Sequence, residues 1–515
     1  MPDFVVVPKD VLVKILYDLR IRDILSFERT CTHARDTVLT RLLWLKKMDE
    51  LGQHCAPDLP PNVDIDSLTA HDLRRIVVNA LRTYRSVTKF QSPVAEYESI
   101  RTISPFPPQS ISPGQVYHFR DVKIAPGGRY LFMRCIADNY NQLRLLDLAK
   151  EDRCIWSVDF GRLHKNIATC YDHLHYDFEV RDDGSVVLTL IVYSFFENNN
   201  GNEISGFAKV LNLAPTGVGN DVTTMQETDT ISLDIHDKAA RKPFCVIKGS
   251  FSVFSVSPSK ITIIEWQKNQ VATIDCSSLE QGLREPQIWN DHFFYLDNRL
   301  TYTTRLRTIS LVHAMNVSTQ SPPDTVKLQD LNGSVFEPSF GSRSTWSEKL
   351  YDLRYSFFEH RKQSDSDGVM VIMIGTTGRT NPSLVAIRAT FKPVSGKIWK
   401  QVDDSGVTQQ ADSRTLPRFT IGLGSTITRS GRLLVSMQKN GRAGYALASI
   451  DERGKLNYAE LSPNVGFHIV NHYEENELEG MSNILEDFMD PYSGALILLK
   501  DRRTGKDAIE VFYPK

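Results

Sequence analysis

Residues 126–133 read PGGRYLFM, and this arrangement, a turn ending in glycine followed by an apolar strand, occurs four more times. The other copies are DDGSVVLTL at 182–190, SDGVMVIMI at 366–374, RSGRLLVSM at 429–437 and YSGALILL at 492–499. Neighbouring glycines are 56 to 63 residues apart, except for one interval about three times as long. Two further units hidden in that interval would make seven units of about 60 residues each.

The region around these units consists of short predicted strands. From Gln115 on, apolar runs alternate with Gly, Pro, Asn and Asp turns, and no helical pattern separates them. This pattern favours a mainly antiparallel β-propeller with seven blades over residues 115–515. Ordinary blades have ~40–45 residues, so we expect the extra length in loops at 198–202, 214–230 and 316–347. A large β-sandwich or a pair of barrels is the alternative.

The front of the chain has a helical period instead. The first predicted helix begins near Pro8, which suits a first helical turn. Its apolar stripe consists of Val11, Leu12, Ile15, Leu16 and Leu19. A second helix is predicted for residues 22–30. A third is predicted for residues 33–51, with a stripe of Val38, Leu42, Leu45 and Met48.

A fourth helix is predicted from Thr69, where Asp72 gives a near match to a capping box. The following segment, 91–114, is rich in proline and serine and is predicted to be a connector. The chain is therefore predicted to be an α+β multidomain protein. Its parts are a helical domain at 1–52, a linker with a packing helix at 53–90, the connector at 91–114 and the propeller at 115–515.

The bulk composition excludes several classes of partner. The formal net charge of −2 provides no field that would attract nucleic acid or an anionic membrane. No apolar run approaches the ~20 residues needed to span a bilayer. The seven cysteines are scattered without a CxxC pair, which favours a reducing compartment and no zinc site. We therefore expect a cytoplasmic or nuclear protein that binds neither nucleic acid nor membrane.

Motifs that carry catalysis are missing from the sequence. It contains no GxxxxGK[ST] phosphate loop, no HExxH helix and no GxSxG elbow. His173 and His175 would share one face of a strand, where packing or solvent exposure is favoured over metal binding. The carboxylate pairs Asp182-Asp183 and Asp403-Asp404, and the Gly422–Ser425 stretch, are predicted to lie at turns. We expect no catalytic residue, cofactor or metal, and hence no enzyme.

The front of the chain resembles the F-box. Val7-Pro8-Lys9-Asp10 matches the entry of that motif, Asp23-Ile24-Leu25 matches the start of its second helix, and Cys31 matches its cysteine. The chain departs from the motif at four positions. They are Val7 in place of Leu, Asp10 in place of Glu, Thr30 in place of Val, and Ala34 in place of Trp.

A second resemblance extends further along the chain. Residues 67–86, SLTAHDLRRIVVNALRTYRS, and residues 124–134, IAPGGRYLFMR, resemble a fungal family of F-box proteins with a WD-repeat-like propeller. Leu146-Asp147-Leu148 stands where that family closes its first blade with a WDL-like tripeptide.

These resemblances imply a substrate receptor of an SCF-type ubiquitin ligase. The F-box would dock on a Skp-type adaptor, and through it on a cullin and a RING subunit, while the propeller binds a protein substrate that the sequence does not identify. The implied adaptor-binding residues are Pro8, Leu12, Ile15, Leu16, Leu19, Ile24 and Leu25. The same residues also suit the core of the module. Two alternatives are a propeller scaffold with a drifted F-box and a propeller enzyme or lectin with a helical appendage.

Overall fold

The computed structural model describes residues 7–54 and 67–78. Between residues 94 and 514 it describes strands, turns and one helix, with gaps between several of them. After residue 331 only the backbone is described, except at Ile509. The helices are α1 (Lys9–Asp18), α2 (Ile21–Glu28), α3 (Thr32–Val38), α4 (Arg41–His54), α5 (70–78) and α6 (Leu311–Gln320).

The first five helices, here called the helical module, pack around one small core. The buried side chains of that core are Leu16, Ile24, Val38, Leu43, Trp44, Met48, Leu73 and Val77. Each of α1 to α5 contributes at least one of them. Helix α5 is therefore part of the module, and its packing does not depend on the strands that follow.

The single helix predicted for residues 33–51 is wrong, because the structure has two helices, α3 and α4, with a break at Leu39 and Thr40. Side-chain donors replace the backbone hydrogen bonds that are missing at the break. The Thr40 hydroxyl donates to the carbonyl of Thr37 (2.7 Å), and the Trp44 indole donates to the carbonyl of Val38 (2.7 Å). Carbonyls at a helix end need such donors, so the break is stabilised locally.

The capping box at the start of α5 is confirmed. The amide of Asp72 donates to the Thr69 hydroxyl (3.2 Å), and the amide of Thr69 donates to the Asp72 carboxylate (3.3 Å). The hydrogen bonds from Thr69 hold the pKa of the Asp72 carboxyl below its usual range. Arg74 forms an ion pair of 2.8 Å with Glu28 and ties α5 to α2.

The strands follow in chain order. They are β1 (Val94–Ala95), β2 (Tyr97–Ile103), β3 (His118–Ile124), β4 (Tyr130–Ala137), β5 (Tyr140–Asp147), β6 (Arg153–Asp159), β7 (Asp172–Val180), β8 (Val186–Asn198), β9 (Gly201–Thr216), β10 (Thr224–Lys238), β11 (Phe244–Lys248), β12 (Phe251–Ser257), β13 (Lys260–Glu265), β14 (Gln270–Asp275), β15 (Arg284–Trp289), β16 (His292–Asn298), β17 (Thr304–Ser310), β18 (Val326–Lys327), β19 (Val335–Phe336), β20 (Leu350–Glu359), β21 (Val369–Thr377), β22 (Ser383–Val394), β23 (Ile398–Val407), β24 (Arg418–Thr420), β25 (Arg432–Lys439), β26 (Arg442–Ile450), β27 (Leu456–Leu461), β28 (Asn483–Met489), β29 (Leu496–Asp501) and β30 (Ala508–Pro514).

Within the described residues these strands form mainly antiparallel sheets, numbered here I to VII in chain order. Sheet I is β3–β6, sheet II is β7–β10, sheet III is β11–β14 with β18, sheet IV is β15–β17 with β19, sheet V is β20–β23, sheet VI is β24–β27 with β1, and sheet VII is β28–β30 with β2. Each sheet contacts the next one in chain order, and β28 and β29 of sheet VII contact β3 of sheet I. The arrangement is therefore propeller-like.

The repeated apolar strands occupy the same place in their sheets. Strands β4, β8, β21, β25 and β29, which follow the five glycine turns, are each second in the order of their sheet. In β4 and β8 nearly all of the described side chains are buried, as expected for a strand that is covered on both faces, and this explains their continuous apolar runs. The long interval between glycines contains sheets III and IV, whose second strands are β12 and β16.

The turns before the second strands of sheets III and IV differ from the glycine turns of the repeat. The turn before β12 contains Gly249 with φ +60°. A glycine therefore precedes this second strand too, although no long apolar run follows it in the sequence. The turn before β16 has Asp291 at φ 58°, a conformation that Asp adopts more readily than most residues. A search for glycine followed by a long apolar run therefore misses both turns.

The segment 91–114 differs from the connector that its composition predicted. It contributes strand β2, which pairs antiparallel with β30 from the other end of the chain. Ile103 and Ile509 face each other in this pairing, and both are completely buried. The sheet region therefore begins near residue 94, where β1 pairs with β27, and not at 115. The reason is non-local: the partner of β2 lies about 400 residues away in the sequence.

The predicted positions of the extra length are also partly wrong. Asn198 and Gly201 pair at the end of a long β8–β9 hairpin, and the described part of the 214–230 region belongs to β9 and β10. Sheet II is thus enlarged by longer strands. In the 316–347 region, the described residues include part of α6 and the short strands β18 and β19.

Candidate functional site

Four large apolar side chains of the helical module lie at its surface. The exposed fractions are 45% for Val11, 52% for Ile15, 37% for Leu39 and 62% for Leu42. Among the described residues, only Val271 and Val312 are comparably exposed large aliphatic residues. We call the set Val11, Ile15, Leu39 and Leu42 the apolar face.

The apolar face is built on neighbouring elements. Val11 and Ile15 are one helical turn apart on α1 and therefore lie on the same side of it. Leu39 and Leu42 flank the break between α3 and α4, and α1 packs against both of these helices. A contiguous exposed apolar patch is typical of a surface that another protein covers, and these four side chains lie on elements that contact one another.

The opposite side of α1 supplies the core. Leu12 and Leu16 are 4% and 2% exposed, so they and Val13 point inward while Val11 and Ile15 point outward. The predicted stripe therefore contains both a core face and an outer face. Leu42, predicted to share a stripe with Val38 and Met48, also lies outward, because the break between α3 and α4 changes the phase of the second helix.

The residues implied to contact an adaptor accordingly differ in how deeply they are buried. Pro8 and Ile15 are exposed, Leu19 and Leu25 are half-buried, and Leu12, Leu16 and Ile24 are buried. The structure brings Leu16 and Ile24 together in the core of the module, and Leu12 is buried on the same side of α1 as Leu16. The outward residues Val11, Leu39 and Leu42 were absent from the predicted set.

Polar contacts hold α1 against α4. The ammonium group of Lys47 is almost completely buried, donates to the carbonyl of Tyr17 (2.6 Å) and pairs with Glu50 (2.7 Å). The ammonium group of Lys46 lies 4.6 Å from the centre of the Tyr17 ring. The Arg41 side chain donates to the carbonyl of Leu68 (3.0 Å) ahead of α5. These contacts fix the elements that present the apolar face.

The structure describes the burial and contacts of two positions at which the chain departs from the F-box pattern. Ala34 is 1% exposed, so the position at which that motif has Trp lies inside the module. Thr30 is exposed, and its hydroxyl donates to the carbonyl of Phe27 (2.8 Å) at the end of α2. Cys31 caps α3 by accepting a hydrogen bond from the amide of Ala34 (3.4 Å).

In the sheets, His173 and His175 of β7 lie against the ring of Tyr193. The ring centres are 5.3 Å and 5.9 Å from that of Tyr193, and the His175 ring is within 7° of parallel to it. Burial lowers the pKa of His175 from 6.5 to about 4. The described part of the chain contains no group of three or more His, Cys, Asp or Glu side chains placed to hold a metal. Both histidines serve packing between strands.

A polar cluster connects sheet I with the first strand of sheet II. The guanidinium of Arg134 is paired with Asp121 (3.4 Å) and donates to Asn141 (2.8 Å). Lys123 donates to the carbonyl of Tyr176 (2.6 Å) and lies 3.6 Å from the carboxylate of Asp177. Burial raises the pKa of Asp177, although 30% of its side-chain surface remains accessible. The charges of this cluster satisfy one another across the boundary between sheets.

The carboxylate pairs and the glycine stretch that were predicted to lie at turns differ in where the structure places them. Asp183 lies at a turn, as predicted, and accepts hydrogen bonds from the amide and hydroxyl of Ser185, which lower its pKa. Asp403 and Asp404 do not lie at a turn, because they pair with β22 inside β23. Asp182 and residues 422–425 lie outside the described residues.

Two other properties of the described residues concern reactivity and membranes. Cys245 and Cys276 carry thiols whose pKa is raised by burial, to about 12 in Cys276, so neither is an activated nucleophile. No helix in this part of the chain has the length and apolar character required to cross a bilayer.

Comparisons with known proteins leave the family open. No protein-family model matches the chain. No curated protein matches it either. Solved structures that align with it include the extracellular domains 1–2 of Drosophila semaphorin 1a, with 10% identity, 81% of this chain and 88% of the semaphorin covered, and a TM-score of 0.39. An α-L-arabinanase of Penicillium chrysogenum aligns with 11% identity over 81% of this chain and 98% of the enzyme, with a TM-score of 0.30. BamB of Moraxella catarrhalis aligns with 11% identity over 76% and 84% of the two chains, with a TM-score of 0.28. Similarities at this level assign neither a family nor an activity.

Proposed function

We propose that this protein is a substrate receptor of an SCF-type ubiquitin ligase, acting in the cytoplasm or nucleus. Its helical module docks on a Skp-type adaptor, which links it to a cullin and a RING subunit, and its sheet region binds the protein to be ubiquitinated. The chain itself carries no bond-making chemistry in this role. It raises the local concentration of substrate near the conjugating enzyme.

The observation that carries this proposal is the apolar face. A module with a filled core still exposes Val11, Ile15, Leu39 and Leu42. Fully burying an aliphatic side chain contributes roughly 1.5–3 kcal/mol, so covering four half-exposed side chains would contribute several kcal/mol before the cost of association. An adaptor helix surface is the partner that the F-box resemblance of this segment suggests.

For the sheet region we propose that sheets I to VII are the seven blades of one propeller. The support is the cyclic order of contacts and the pairing of β2 with β30, which joins the two ends of the sheet region in sheet VII. Ile103 and Ile509 pack there with residues of sheet I, among them Phe119 and Leu131. A high-resolution experimental map of the full chain would count the blades directly.

The decisive experiment is binding of the full-length chain to a purified Skp-type adaptor. The test variant is Ile15→Asp with Leu42→Asp, which places two charges on the apolar face without touching the core. The matched control is Val271→Asp with Val312→Asp, because these residues are also exposed but lie in the sheet region and in α6. Unchanged circular dichroism of all variants would verify folding.

We expect the test variant to lose adaptor binding by at least tenfold, since about 1.4 kcal/mol is enough for that factor. The control should bind like the wild type. Equal binding by the test variant and the wild type would eliminate the apolar face as the docking surface. A wild-type chain that ignores the adaptor would eliminate the ligase proposal itself.

The second candidate is a propeller scaffold whose F-box has left the ligase pathway. The observations that favour it are the departures at Thr30 and Ala34, one exposed and the other inside the module. A reconstituted complex with cullin, RING subunit and conjugating enzyme separates the two. Adaptor binding without ubiquitin transfer to any captured partner would support the scaffold.

A further inference from the structure

A cleft with a volume of about 490 Å³ opens between sheets II and III. Arg181, in the turn between β7 and β8, and Trp266, in the turn between β13 and β14, stand at its mouth. Val210 and Asn212 of β9 and Ile231 of β10 line its wall. The cleft lies at the end of the apolar layer that joins the two sheets, to which Val210, Ile231 and Trp266 belong.

The cleft contains one positive charge held in a fixed place. The guanidinium carbon of Arg181 lies 4.4 Å from the centre of the Trp266 ring. The indole is itself anchored, because its N–H donates to the carbonyl of Gly249 (3.1 Å). Within the described residues no carboxylate lies at ion-pair distance from Arg181, and the Asp183 carboxylate interacts with its charge from further away. A stacked guanidinium keeps its N–H donors in one plane and is suited to bind an oxyanion.

The wall of the cleft contains an acceptor that lacks a donor. The hydroxyl of Thr228 donates its only hydrogen to the backbone carbonyl of Asn212 (3.2 Å), so it can only accept from the Asn212 side chain. The contact of 3.1 Å therefore orients the amide with its NH₂ group toward Thr228. The other side-chain atom, Oδ1 of Asn212, is buried and has no hydrogen-bond partner. A buried acceptor of this kind normally has a partner.

We propose that this cleft binds a peptide segment with an acidic side chain. The carboxylate would pair with Arg181, and an apolar side chain would lie against Ile231. A backbone N–H would donate to Oδ1 of Asn212 once that side chain turns toward the cleft, because the atom is closed to water-sized groups as it stands. A neutral oligosaccharide fits less well, because it has no anion for Arg181 and one face of the Trp266 ring is already covered. The inference rests on the proposed function only in naming the peptide as part of a substrate.

The test uses the full-length protein and a displayed library of random 12-residue peptides. We expect the selected peptides to be enriched in Asp and Glu. Their binding, measured by fluorescence anisotropy, should weaken about tenfold or more in Arg181→Gln, because a charge-assisted pair is lost. Asn212→Ala should weaken the same peptides. The matched control is Lys268→Gln, which removes a neighbouring charge that pairs with Glu265 (2.6 Å) and does not line the cleft.

Several results would overturn the inference. They are the recovery of no peptide, peptides without acidic residues, and affinities that Arg181→Gln leaves unchanged while the variant retains the wild-type melting temperature. Binding of a neutral glycan on an array, lost in Arg181→Gln, would assign the cleft to carbohydrate instead. Adaptor binding measured on the same proteins keeps the two proposals separate, because Arg181→Gln should bind the adaptor like the wild type.

Discussion

Acid should destabilise the sheet region through His175. This histidine lies on β7 with its Nε2 3.2 Å from the Tyr193 hydroxyl. Burial is the main cause that lowers its pKa from 6.5 to about 4. The positive charges of His173, Lys123 and Arg134 act in the same direction, and the carboxylate of Asp121 acts against them. The folded protein therefore keeps this ring neutral where the unfolded chain would protonate it.

The size of the effect follows from the two pKa values. Stability from the neutral ring is fully present above pH 6.5 and is lost as the pH falls from 6.5 toward 4. At pH 5 the unfolded histidine is almost fully protonated and the folded one about one-tenth protonated. The difference corresponds to a loss of about 2 kcal/mol relative to pH 7.5.

The assay is urea unfolding of the full chain at pH 7.5 and pH 5.0. His175→Gln should lose about 2 kcal/mol less than the wild type between these pH values. The control is His236→Gln, which removes an exposed histidine of the same sheet and should keep the wild-type pH dependence. Asp177 has the opposite sign, since its raised pKa favours the folded state on acidification. It is present in every variant and cancels from the comparison.

Equal pH dependence in the wild type and His175→Gln would refute the reasoning. A direct measurement of the His175 pKa near 6.5 by NMR titration would refute it as well, because the ring would then be protonated as easily in the folded state as in the unfolded chain.

Two further predictions concern backbone geometry. Thr69→Ala removes the capping hydroxyl that accepts from the amide of Asp72 and should lower the stability of the helical module by about 1 kcal/mol, measured by urea unfolding followed through Trp44 fluorescence. Gly206→Ala would place a methyl group against the backbone carbonyl of Val192 and should cost about 3 kcal/mol, whereas Gly249→Ala meets only the strain of φ +60° in open space and should cost about 1 kcal/mol. Equal melting temperatures for the two glycine variants would contradict this explanation.

The local features of the fold could be predicted from the sequence. The apolar strands at 130–137, 186–198, 369–377, 432–439 and 496–501 were all recognisable, because each coincides with a continuous apolar run in the sequence. The capping box of Thr69 and Asp72 was recognisable because both partners lie within one helical turn. In each case the atoms that interact, or the period that they impose, are close together in the sequence.

The candidate docking surface could be predicted only in part. The stripe on α1 indicated which residues are apolar, but Leu12 and Ile15 have opposite surroundings, 4% and 52% exposed. A single helix has more than one apolar direction, and the packing of α3, α4 and α5 decides which of them is covered. Leu42 faces outward because α3 and α4 are separate helices.

The sequence by itself determined the helical front, the β-rich remainder and the positions of the repeated second strands. Tertiary structure alone decided that β2 pairs with β30, that Asp403 and Asp404 belong to a strand, and that Arg181 meets Trp266 across two sheets. These outcomes depend on partners tens to hundreds of residues away. Hydrophobic periodicity reports that a residue will be covered, but the identity of the covering surface is a property of the assembled sheets.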